Sequence, residues 1–152
     1  MMTSTTNLST GLTAGHRERL MSVAREVSFD TGTRIFEEGR RADRFWVVRT
    51  GTVALDLRVP GRRAAVVESL GHGELIGWSW HFPPHVWHLG AEAMSPVRAY
   101  EFDAQAVLNL CEEEPELGVM LVRNVAEVLA HRLEMTRGKL MEQYTLHRRG
   151  AL

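Results

Sequence analysis

Between Ser28 and Asp103 the chain is cut by glycines into runs too short for anything but β-strands. Gly32, Gly39, Gly51, Gly61, Gly71, Gly73, Gly77 and Gly90 stand between or at the ends of Thr33–Glu37, Arg44–Thr50, Thr52–Val59, Ala64–Leu70, Leu89–Ala93 and Val97–Phe102. These are places where turns need positive φ or close backbone approach. Six or more short strands at such spacing predict a β-sandwich or barrel. Pro60-Gly61 predicts a hairpin turn, with Arg58, Arg62 and Arg63 as solvated charges at its tip.

Helical periodicity flanks this region. Leu12, Leu20, Val23, Ala24 and Val27 share one face opposite Arg17, Glu18, Arg19 and Arg25, which predicts an amphipathic helix over Leu12–Val27. The preceding residues 1–11 are Thr/Ser/Gly-rich and are expected to be flexible. Asp103 is a good N-cap for a helix over Ala104–Cys111. An acidic break ending in Pro115 then opens a long helix from Glu116 to about His147. Along it Val122, Val125, Leu129, Leu133, Thr136, Leu140 and Tyr144 make one apolar stripe, and Leu121, Val128 and Met135 a second. About 30 residues of helix extend roughly 45 Å, more than a domain of this size needs. A homodimer seam through residues 116–147 is therefore expected, and packing of both stripes on the chain's own barrel is the alternative.

Composition narrows the function. At 152 residues and 44% hydrophobic the chain reads as one soluble domain, 12–152, with the β-roll at about 28–103 and the C-terminal helices at about 104–147. Eighteen basic residues against 19 acidic, with no basic stripe, disfavour direct nucleic-acid binding. The single Cys111 cannot form an intramolecular disulfide and suits a reducing compartment, so the cytoplasm is expected. With no long apolar run and no secretory signal, no membrane role is expected. Cys111 also lacks neighbouring cations and reads as a small core residue rather than a redox sensor.

The unusual stretch is Leu70–Ala93. Three of the four tryptophans (Trp78, Trp80, Trp87) and three of the seven histidines (His81, His85, His88) fall between residues 78 and 88, and Pro83-Pro84 forbids a continuous helix there. Such a segment is built either to bind something or to plug a cavity.

Asp30–Gly39, Ala42–Val53 and Leu70–Gly77 carry successive strand and turn motifs. With the flanking helices they resemble the cyclic nucleotide-binding domain of the CRP/FNR regulator family along nearly the whole chain. The resemblance implies an α+β fold: a jelly-roll barrel of about eight strands, an N-terminal helix, a short inserted helix and two C-terminal helices, the last one long. It also implies a sensor that binds cAMP or another small flat ligand and signals through its last helix. In the family, a glutamate after the last glycine takes the ribose hydroxyl, and an arginine followed by Ser or Thr takes the cyclic phosphate. Here those positions hold Trp78, Trp87 and His88. From Ala64 to Val97 there is no Arg or Lys, and an unpaired buried phosphate costs several kcal/mol. Any cation must come from elsewhere, such as Arg132–Arg137, where Thr136 matches a base-contacting threonine of the family and Arg137 replaces its serine. The expected ligand-binding residues are thus Ile76, Gly77, Trp78, Ser79, Trp80, Trp87, His88, Leu89, Thr136 and Arg137.

Three readings follow. The first is a non-enzymatic sensor with an altered pocket, in which indole faces stack a flat ligand. The second is a ligandless dimeric adaptor whose tryptophans fill the pocket. The third uses His81, His85 and His88 as metal or haem ligands, against which the prolines argue. Catalysis is not expected, because Ser79 lacks a nucleophile elbow and Glu74 with Glu92 has no support as an acid/base pair. Family members of this type continue into a helix-turn-helix, whereas this sequence stops at Leu152. No direct DNA contact is expected, and output would pass to a protein partner.

Overall fold

The computed structural model describes residues 8–150. Eight strands form two four-stranded antiparallel sheets that enclose one core. They are β1 (Ala24–Phe29), β2 (Arg34–Phe36), β3 (Arg44–Thr50), β4 (Val53–Leu57), β5 (Ala65–Leu70), β6 (Leu75–Ile76), β7 (Gly90–Ala93) and β8 (Val97–Asp103). One sheet runs β1-β8-β3-β6 and the other β2-β7-β4-β5. Apart from the β4–β5 hairpin, successive strands thus cross between sheets, which is the jelly-roll topology expected. Every predicted run contains a strand within a residue or two of its expected ends.

Gly51 shows why the punctuation is glycine. It sits at φ +94° in the β3–β4 turn, and a Cβ there would lie 2.3 Å from the carbonyl oxygen of Pro96. At the other hairpin, the Arg62 amide donates to the Val59 carbonyl (3.0 Å) around Pro60-Gly61, leaving Arg58, Arg62 and Arg63 exposed.

The N-terminal reading needs correction. Helix α1 covers Ala14–Ser22, capped by the Thr13 hydroxyl, which accepts from the His16 amide (3.1 Å). Residues 24–27, expected to end that helix, instead open β1, which pairs along β8 from Ala24–Phe102 to Phe29–Val97. The spacing of Ala24 and Val27 suits a helix rather than one face of a strand, and the hydrogen-bonding edge of β8 overrides it. Of the stretch 1–11, residues 1–7 lie outside the described residues. Leu8 is 3% exposed, and the buried Asn124 amide donates to the carbonyls of Leu8 (2.7 Å) and Thr10 (2.8 Å).

Helix α2 (Ala104–Glu113) starts where expected, with Asp103 accepting from the Ala106 amide at 2.9 Å. Helix α3 (Pro115–Gly150) changes character along its length. Its first part is core: Leu117, Leu121, Val125 and Val128 are buried. Beyond Arg132 the apolar residues turn to solvent, Leu133, Met135, Leu140, Met141, Tyr144 and Leu146 being 50–66% exposed. Both expected stripes are therefore divided: Leu121, Val125, Val128 and, in part, Leu129 belong to the chain's own core, while Val122 and the members from Leu133 onward are exposed in the monomer. No described helix is long and apolar enough to cross a membrane.

Candidate functional site

The segment after β6 dives between the sheets. Gly77 has φ +93°, and Ser79–His81 make one short 3-10 turn, which the Trp80 indole closes by donating to the Gly77 carbonyl (3.2 Å). Trp80 then stacks on Phe45, with ring centroids 4.4 Å apart. It is 2% exposed and is a core residue of the barrel end, not a wall of the cavity. Ile76 is likewise wholly buried, paired with Trp46 across β3 and β6.

The chain returns through His85–Trp87, which is stitched to the Gly39–Ala42 turn. The Ala42 amide donates to the His85 carbonyl (2.7 Å), the Trp87 amide to the Arg40 carbonyl (2.9 Å) and the Gly39 amide to the Trp87 carbonyl (2.8 Å). Three backbone bonds fix where the Trp87 ring goes. It lies inside the barrel, 4% exposed, parallel to Phe36 and tilted 31° to Trp46 at 6.1 Å. A Cβ on Gly77 would stand 2.6 Å from this indole, so the glycine is what lets the ring pass.

Around the ring Phe36, Leu55, Gly77, Trp78, Ser79, His88 and Leu89 line a cavity of about 20 Å³, with Arg132 closing it from α3. That is room for about one water, where organic ligands occupy pockets of roughly 300 Å³ and more. Trp78 is half-buried and stacks on His88 at 5.1 Å, and the His88 Nδ1 lies 3.1 Å from the buried Ser79 hydroxyl.

Arg132 opens the segment expected to supply a cation without being among the expected contacts, and it is the residue of that segment that lines the cavity. Its side chain is 12% exposed, donates to the carbonyl of Leu75 and stands 3.7 Å from Glu68. Burial pushes its pKa down, while Glu68 and Glu74 push it up. Thr136 and Arg137, the expected contacts from the same helix, are exposed and do not line the cavity. The reason is axial: one turn beyond Arg132, about 5.4 Å on, α3 has already left the barrel end. Lys139 still reaches back, donating to the Val67 carbonyl on the outer strand β5 (2.8 Å).

Among the described residues no group of three His, Cys, Asp or Glu side chains is arranged to hold a metal. The histidines have separate surroundings. The His85 Nδ1 lies 3.0 Å from the Trp80 carbonyl, His88 meets Ser79, and His81 stacks on Trp80 and Phe82 with its Nε2 buried and without a hydrogen-bond partner.

Comparison with known proteins places this geometry. The cyclic nucleotide-binding domain model matches residues 26–114. A CRP-like cAMP-activated global transcriptional regulator of Mycobacterium tuberculosis is 29% identical over 116 residues, 76% of this chain and 50% of the relative. The chain thus spans about half the length of the curated relatives it matches. Among solved structures, the N-terminal domain of a Streptomyces coelicolor A3(2) transcriptional regulator superposes with a TM-score of 0.70 at 27% identity, covering 84% of this chain and 89% of that one. A cyclic nucleotide-binding domain from Methylobacillus flagellatus KT reaches a TM-score of 0.80 at 17% identity, over 87% and 74%, which speaks for the fold alone. These relatives are regulators and binding domains, not enzymes. With residues 26–114, more than half its length, matched by the family model, the chain belongs to the cyclic nucleotide-binding domain family.

Proposed function

We propose that this chain is a non-enzymatic regulatory module whose nucleotide cavity is held shut by its own Trp87 and whose output runs through α3, paired with a second copy. The stack of Trp87 on Phe36, centroids 3.9 Å apart with a residual cavity of about 20 Å³, carries this reading. An indole buries 150–250 Å² of surface, so holding it inside is favourable without any ligand. The pairing rests on the distal half of α3, where six large apolar side chains between Leu133 and Leu146 are exposed. Two such helices side by side would cover them.

A second reading is favoured by Arg132, a nearly buried cation at the cavity wall. If Trp87 swings out, the vacated space would present that guanidinium, Ser79 and the Trp78 face to cAMP or another flat anion. The same experiment decides between them. Calorimetric titration of the native chain with cAMP and cGMP is expected to show no saturable binding, and the Trp87→Arg and Trp87→Ala variants are expected to gain it. Tight binding by the native chain would overturn the closed-cavity reading.

A further inference from the structure

A second concavity lies on the other side of the first sheet, away from the Trp87 cavity. Its floor includes Val47 and Tyr100, directly opposite each other on β3 and β8, and its walls include Leu8 and the α1 residues Leu20 and Met21. The volume is about 310 Å³, at the lower end of pockets that take organic ligands, roughly 300–1,000 Å³. Polar groups gather on one side of it. The Arg49 guanidinium lies 5.0 Å over the Tyr100 ring and pairs with Glu26, and the His72 imidazole meets the Arg49 carbonyl at 2.7 Å.

We infer that this groove binds a small amphiphilic acid, its carboxylate on Arg49 and His72 and its aliphatic or aromatic body on Met21, Leu20 and Val47. An apolar trough with a guanidinium and an imidazole on one flank fits a molecule with one charged end and one greasy end. Arg49 is available for this, because its pair with Glu26 is exposed (41% and 65%) and such pairs are weak. The groove also touches the turn that leads to the barrel cavity. The Gly73 amide donates to the Val48 carbonyl (2.8 Å), the Val48 amide to the Glu74 carbonyl (3.0 Å), and the next residue, Leu75, accepts from Arg132 of α3. An occupant would therefore press on the strand that anchors the output helix.

The test is calorimetry of the full chain with octanoate and with its neutral amide. Octanoate is expected to bind saturably at one site per chain, about tenfold tighter than octanamide, from the charge-assisted contact. Arg49→Gln should erase that difference while leaving octanamide unchanged. Met21→Glu, at a position 38% exposed and so tolerant of charge, should weaken both. Absence of saturable octanoate binding, equal binding by native and Arg49→Gln protein, or binding untouched by Met21→Glu would overturn the assignment. Titrating the same native sample with cAMP reads the Trp87 cavity independently, so either site can fail alone.

Discussion

Trp87 and Phe36 stack face to face, 3.9 Å between centroids and 13° between planes, at the point where the two sheets come together. The pair is a joint of the core. Trp87→Ala is expected to cost about 3–5 kcal/mol of stability, the usual range for emptying a buried aromatic site. Urea unfolding measures it, and a loss under 1 kcal/mol would mean that the ring is not packed as described.

Gly77 and Trp87 are coupled by space. An alanine at 77 faces two costs: strain at φ +93° and a Cβ 2.6 Å from the indole. Only the second depends on Trp87. Gly77→Ala is therefore expected to destabilise the native chain more than it destabilises Trp87→Ala, with a coupling of about 0.5–3 kcal/mol in a double-mutant cycle. Additive effects would show that strain alone keeps the glycine.

Asn124 ties the N-terminal segment to α3. It is 2% exposed and its one amide nitrogen satisfies the carbonyls of both Leu8 and Thr10. Asn124→Ala strips both, at about 1–3 kcal/mol for each carbonyl left buried. Limited proteolysis should then cut near residues 8–13 faster than in the native chain. Unchanged cleavage would show that the hydrophobic contact of Leu8 is sufficient.

Burial pushes the Cys111 thiol pKa above its ordinary 9.0. Below 9 both folded and unfolded chains carry the neutral thiol, and it contributes no pH dependence. Above 9 the unfolded thiol ionises first, so stability falls as pH climbs toward the folded value. The native chain should lose more stability than Cys111→Ala between pH 8 and about 10, and Cys111 should react with a thiol reagent more slowly than a free cysteine. Parallel stability curves for the two proteins would contradict the burial.

What the sequence made legible was set by local chemistry. Gly51 and Gly77 mark turns only glycine tolerates, and Asp103 caps α2 as its side chain dictates. What stayed hidden depends on distant partners. Residues 24–27 carry a helical spacing until β8 pairs with them. Arg132 reaches the cavity from 57 positions beyond the carbonyl it binds, and no spacing rule links it to Leu75. For Trp87, periodicity marks an apolar ring yet does not tell a wall from a plug. The backbone stitching to Gly39–Ala42 decides that.

The distal part of α3 gives the sharpest test of pairing. Leu140 is 66% exposed and Leu133 62%, so neither contributes much to the monomer's own core. Leu140→Glu is accordingly expected to leave monomer stability within about 0.5 kcal/mol, as for surface substitutions away from special contacts. In a paired helix the same glutamate would face its counterpart across an apolar seam, where like charges and desolvation are costly. Sedimentation equilibrium should show the native chain as a dimer and Leu140→Glu shifted to monomer, as should deletion of residues 137–152. A native chain that sediments as a monomer, or a Leu140→Glu dimer as tight as the native one, would remove α3 as the seam and leave the exposed stripe for a different partner.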